Sequence, residues 1–126
     1  MINGKFQYLE DETIILTEGD ITHMPFHDNS YDVGFSVGVF MNINSEKIDI
    51  TIDHLIRVSK KYIIHLEYEE NCATDELRNR RITKTYIISH DYQSPYAKRG
   101  MKIKTSITYK DTIEKYDKYC CWTVSF

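Results

Sequence analysis

The chain has 126 residues, 41% of them hydrophobic, with a formal net charge of -3 at pH 7 and a pI of about 5.9. That length suits one domain spanning residues 1–126, and that composition supports a compact core rather than a disordered tail. The acidic balance excludes a dedicated nucleic-acid binder, which needs a basic surface against phosphate, and no apolar run approaches the roughly 20 residues that span a bilayer.

Met1-Ile2-Asn3-Gly4-Lys5 lacks the basic-then-apolar pattern of a secretory signal, so a cytoplasmic protein is expected. Residues 5–9 read as a short strand or the tail of a helix, and Glu10-Asp11-Glu12 as a solvated turn. Residues 13–17 are β-branched and apolar, the pattern of a buried strand. Pro25 makes residues 24–26 a loop, and Asp28-Asn29-Ser30 has turn chemistry. Residues 31–39 form the next expected strand, in which Gly34 and Gly38 point to close backbone approach or tight packing.

A helix follows, with Ser45 expected at its N-cap. Its apolar stripe is Ile48, Ile52, Leu55 and Ile56, and Lys60 and Lys61 suit its C-terminal dipole. Residues 62–66 read as a strand, residues 67–71 as a polar loop, and residues 74–85 as a charged helix or loop. Residues 86–88 are short and apolar. Residues 90–99 predict a helix closed by Gly100, with Pro95 either in its first turn or kinking it. Residues 101–109 and 119–126 predict two strands, joined by a polar connection that allows antiparallel pairing. The strand–helix–strand alternation between residues 32 and 66 predicts a parallel β-α-β unit, so the expected sheet is mixed.

Cys72, Cys120 and Cys121 make a poor disulfide framework, since adjacent cysteines cannot bridge without distorting the backbone. No His or Cys partner sits at ligand spacing, so no metal site is expected. His23 and His27 are separated by Pro25, which prevents a helical metal pair. His65 and Glu67 share one face at a strand end and are the best acid/base candidates, with Tyr68 and Glu69 as weaker companions. Arg78, Arg80 and Arg81 read as a solvated charged face that could also meet an anionic substrate.

Residues 19–32 carry Gly19, Asp20, Pro25, Phe26, Ser30 and Asp32, with Met24 and Tyr31 between them. This resembles the G-D-x-x-x-L-P-F-x-x-x-S-F-D pattern of class I S-adenosylmethionine-dependent methyltransferases. Leu55-Ile56-Arg57-Val58-Ser59-Lys60 is similar to that family's L-x-R-V-x-K. The resemblance implies a truncated Rossmann-like methyltransferase fold, α/β, with a mostly parallel mixed sheet and a C-terminal antiparallel strand pair. It implies S-adenosylmethionine as cofactor and a small-molecule substrate. By the same resemblance, Asp20 would accept from the adenine amino group, Ile21 would pack on the ring, and Ser36, Val37 and Gly38 would border the methionine part. Asn42 stands where relatives often carry a His; it would position substrate without acting as a base.

Two features of the family are absent from this sequence. No glycine-rich turn precedes Gly19, and no acidic ribose-binding residue follows a second strand. Loss of the family's first two strands would leave open edges, so a homo-oligomer or a complementing chain is expected. The alternative is a non-catalytic remnant or partner subunit that works through association.

Overall fold

A computed structural model describes residues 14–67, 88, 90–110 and 118–125. The expectations for residues 5–12, 68–87 and 111–117, with Cys72 and the three arginines, lie outside the described residues.

Among the described residues, four strands and two helices make up the regular structure. In chain order they are β1 (Tyr31–Val37), α1 (Ile48–Val58), β2 (Ser59–Glu67), α2 (Gln93–Lys98), β3 (Lys102–Lys110) and β4 (Lys118–Ser125). Short 3-10 turns occupy Ile21–His23, Phe40–Asn42 and Ser45–Lys47. The sheet order is β1-β2-β4-β3. β1 and β2 run parallel, joined across α1, and β4 runs antiparallel to both β2 and β3. The β-α-β unit and the closing antiparallel pair are therefore both present. Insertion of β4 between β2 and β3 makes β2 an interior strand.

Both helices cover one face of the sheet. Ile48, Ile52 and Leu55 on α1 join Phe40, Ile43, Ile63, Tyr92 and Tyr96 in a single buried cluster. Alternation along β1 and β2 sends Ser36, Ile63, His65 and Glu67 into this layer. Gly34 lies under α1, where a Cβ would stand 2.8 Å from Leu55 Cδ1 and 2.5 Å from Ser59 Oγ. Only a glycine lets the helix approach the strand there.

The other face is open. Val33 pairs in register with Tyr62, Phe35 with Ile64 and Val37 with Leu66. Phe35 is 73% exposed and Val37 60%. β1 is also the terminal strand among the described strands of the sheet.

Four expectations require correction. Residues 14–17 form no strand, and Ile15 is 85% exposed, because no described strand lies alongside to share a hydrogen-bond ladder. Ser45 does not cap α1: it opens a 3-10 turn, and the α-helix begins at Ile48. Lys60 and Lys61 lie in β2 rather than at the helix end, and Arg57 is the basic residue of the last helical turn. α2 begins at Gln93, because the Asp91 carboxylate accepts the Gln93 and Ser94 N–H groups and so sets the helix start. Pro95 falls within its first turn, and Gly100 leaves it at φ +73°.

Candidate functional site

The carboxyl ends of β1 and β2 carry the loop formed by Gly38, Val39 and the Phe40–Asn42 turn. In open α/β sheets this is the ligand-binding end. Gly38 ends β1 at φ +62°, a conformation that side chains rarely adopt. The Gly38 N–H donates to Leu66 O at 3.0 Å. Glu67 is fully buried, and its Oε1 accepts the Val39 N–H at 2.9 Å and the Phe40 N–H at 3.2 Å. Asn42 Nδ2 donates back to Gly38 O at 3.0 Å, while the Asn42 residue itself is exposed. The loop is thus fastened from β2 and from within.

His65 lies beneath the same loop. Its Nδ1 is 2.6 Å from Ser36 Oγ and its Nε2 is 2.6 Å from Tyr96 Oη. Phe40, Tyr92 and Tyr96 surround the ring, with centroids 4.9, 5.9 and 5.6 Å away. Burial pushes the imidazole down to about 3 and the Tyr96 phenol up. His65 is therefore neutral at physiological pH. Its two partners are both hydroxyls, able to donate or accept, so either tautomer is satisfied. His90 extends this aromatic layer: its Nε2 donates to Ile43 O at 2.9 Å and its ring meets Tyr92 edge-on.

The Asp20 segment forms the second part of the site. Asp20 is exposed and heads the Ile21–His23 turn. Its Oδ1 accepts both the Thr22 N–H and the Thr22 hydroxyl, each at 2.8 Å. The Thr22 N–H, then its hydroxyl, hold the Asp20 carboxyl below the usual range, so it is ionised at neutral pH. Ile21 and Met24 pack against the buried cluster that contains Phe40 and Ile43. That shared packing links the Asp20 turn to the loop after β1.

Among the predicted site residues, Ser36, His65 and Glu67 lie in the buried layer, Asp20 and Asn42 are exposed, and Val37 is exposed on the opposite face of the sheet. Arg57 was missed as a site residue, although it stands in the motif quoted above. Its guanidinium donates to Met24 O and Phe26 O and pairs with Asp28. The signal available was an arginine at a fixed distance after a proline loop. Among the described residues no group of three or more His, Cys, Asp or Glu could hold a metal ion, and no helix is long and apolar enough to cross a membrane.

Residues 3–62 match the family described as a methyltransferase domain. A methyltransferase structure from Methanosarcina mazei superposes at TM-score 0.65 with 13% identity, covering 85% of this chain and 64% of its own. Magnesium protoporphyrin IX methyltransferase from Synechocystis, solved with bound S-adenosylhomocysteine, superposes at 0.64 with 12% identity, covering 85% and 48%. This is the fold of a class I S-adenosylmethionine-dependent methyltransferase domain. A Haloferax volcanii methyltransferase, solved in complex with the Trm112 activator, superposes at 0.62 with 14% identity, covering 85% and 59%. This chain thus spans less than two thirds of the length of each of these relatives. No curated protein matches the chain.

Proposed function

We propose that this chain provides the adenine-binding, substrate-facing part of an S-adenosylmethionine-dependent methyltransferase that acts on a small molecule in the cytoplasm. The observation that carries the reading is the exposed, ionised Asp20 carboxylate, held on its turn through Oδ1 and set beside the Ile21 backbone. A carboxylate accepts and does not donate, which suits the adenine amino group. Gly38 lets a ligand approach the backbone after β1. Methyl transfer is an in-line displacement and depends on positioning more than on proton transfer. In this reading His65, Glu67 and Asn42 shape the loop at residues 38–43, and the methyl donor is supplied by the bound cofactor. The small-molecule preference rests on the net charge of -3.

Asp20→Asn tests this reading by calorimetric titration with S-adenosylhomocysteine. Asparagine caps a turn as well as aspartate does, so the fold is retained. Its Nδ2, however, presents a donor to an adenine donor. At least a tenfold loss of affinity is expected; equal affinity in the variant would overturn the assignment.

A second reading draws on the open apolar face of β1 and β2. Here the chain works through association, as one part of a sheet completed by a second copy or by a complementing chain. The relatives' greater length supports it, since a fuller methyltransferase fold has more structure to lay against this sheet.

A further inference from the structure

We propose that Arg57 is the positioning residue for the adenine edge of the site; this rests on the adenosyl reading of Asp20. Arg57 lies in the last turn of α1, on a different element from every residue assigned to the cofactor. Its Nη2 donates to Met24 O at 2.8 Å. Its Nη1 donates to Phe26 O and, at 2.9 Å, to Asp28 Oδ1. The Arg57 carbonyl in turn accepts the Asn29 N–H at 2.8 Å. One residue therefore engages four positions along residues 24–29.

The loop needs such a clamp. Pro25 has no N–H, and residues 24–27 belong to no helix or strand, so no regular ladder satisfies their carbonyls. The planar guanidinium fork serves two carbonyls and a carboxylate together, which the point charge of a lysine cannot do in one geometry. Upstream, the loop runs directly into the Ile21–His23 turn, which is closed by the His23 N–H on Asp20 O at 2.8 Å. His54, one helical turn before Arg57, places its ring 6.1 Å from that of His23 and its Nδ1 3.3 Å from Arg57 Nη2. The Asp20 carboxylate is thus aimed by a segment whose exit is fixed from α1. Loosening the exit would let Asp20 wander while leaving the sheet and its buried layer unchanged.

The test compares wild type with Arg57→Lys and Arg57→Ala. Amide hydrogen exchange over residues 20–29 is read in the free protein. Binding of S-adenosylhomocysteine, adenosine and methionine is read by titration. Faster exchange confined to residues 20–29 is expected in both variants. Affinity for adenosine and S-adenosylhomocysteine should fall about tenfold, with methionine affinity unchanged. Unchanged loop exchange overturns the clamp. So does a loosened loop with full adenosine affinity, or an equal loss for methionine, which would mark a general structural role. Failure of wild type itself to bind adenosine and S-adenosylhomocysteine removes the adenosyl site and the proposal with it, whereas wild-type binding retained fully in both variants removes the clamp alone.

Discussion

Ser36 Oγ stands 2.6 Å from His65 Nδ1 in the buried layer between the sheet and its helices. The two residues are also register partners in the parallel β1–β2 ladder. A side-chain bond therefore reinforces the backbone pairing at the end of the sheet where the candidate site lies. From the other side of the ring, Tyr96 ties the same imidazole to α2.

This arrangement makes the fold acid-sensitive. In the unfolded chain the imidazole takes its proton near the ordinary value of about 6.5; in the fold it does so only near 3. Between those values the unfolded state binds more protons, so the His65 contribution is complete above about 6.5 and is lost as pH falls toward 3. His65→Gln removes this titration. At pH 7.5 the variant should be about 1–3 kcal/mol less stable than wild type, because a buried hydroxyl loses its partner. By pH 5 the gap should shrink by about 2 kcal/mol. Urea denaturation at the two pH values measures both terms, and a gap independent of pH would mean that His65 titrates normally.

Leu55 of α1 packs directly over Gly34 of the sheet. A Cβ at residue 34 would stand 2.8 Å from Leu55 Cδ1 and 2.5 Å from Ser59 Oγ, both within the packed layer. Gly34→Ala should cost about 1–3 kcal/mol through overpacking. Ser59 Oγ is buried without a hydrogen-bond partner, so Ser59→Ala should be nearly neutral. The double variant should recover part of the loss, since one of the two clashing atoms is gone. Thermal denaturation of the three variants reads this coupling, and strictly additive effects would contradict the geometry.

The parallel β1–α1–β2 unit is readable in sequence because its pattern is local: Ile48, Ile52 and Leu55 repeat at helical spacing between two apolar strands. Gly34 is likewise legible as a place of tight packing. The failures come from partners distant in the chain. Residues 14–17 have strand composition, but a strand forms only beside another strand. The place of β4 between β2 and β3 depends on pairings across the whole chain. Asp91 displaces the start of α2 through one side chain. At the site, the Asp20 motif and the shared face of His65 and Glu67 are legible, but burial is not. Period-two alternation places both residues on one face without saying that Phe40, Tyr92 and Tyr96 close over it.

Glu67 separates shaping from proton transfer. Its Oε1 accepts two backbone N–H groups of the loop after β1. Glu67→Gln keeps an acceptor there but cannot exchange a proton, so it should retain most of the affinity for S-adenosylhomocysteine. Glu67→Leu strands both N–H groups and should cost about 2–5 kcal/mol of stability. In a reconstituted methyltransferase assay the Gln variant should keep its rate within a few fold. Loss of turnover in Gln with binding intact would return Glu67 to an acid/base role.

The open face yields the last prediction. Phe35 is 73% exposed and flanked by Val33 and Val37 on the terminal strand. Removing its ring to solvent costs the isolated fold little, so Phe35→Ser should change the melting temperature only slightly. A terminal strand with exposed apolar side chains is a template for pairing and for face-to-face burial. Sedimentation velocity across a concentration series should therefore show wild type associating and Phe35→Ser shifting toward monomer. Val37→Lys should act in the same direction, because a charge at that register position opposes stacking of a second apolar surface. If wild type stays monomeric at high concentration, self-association is excluded. A complementing chain then becomes the surviving form of the association reading, and both variants should weaken its binding. Indifference of both self-association and complex formation to the two substitutions would rule out this face as the contact.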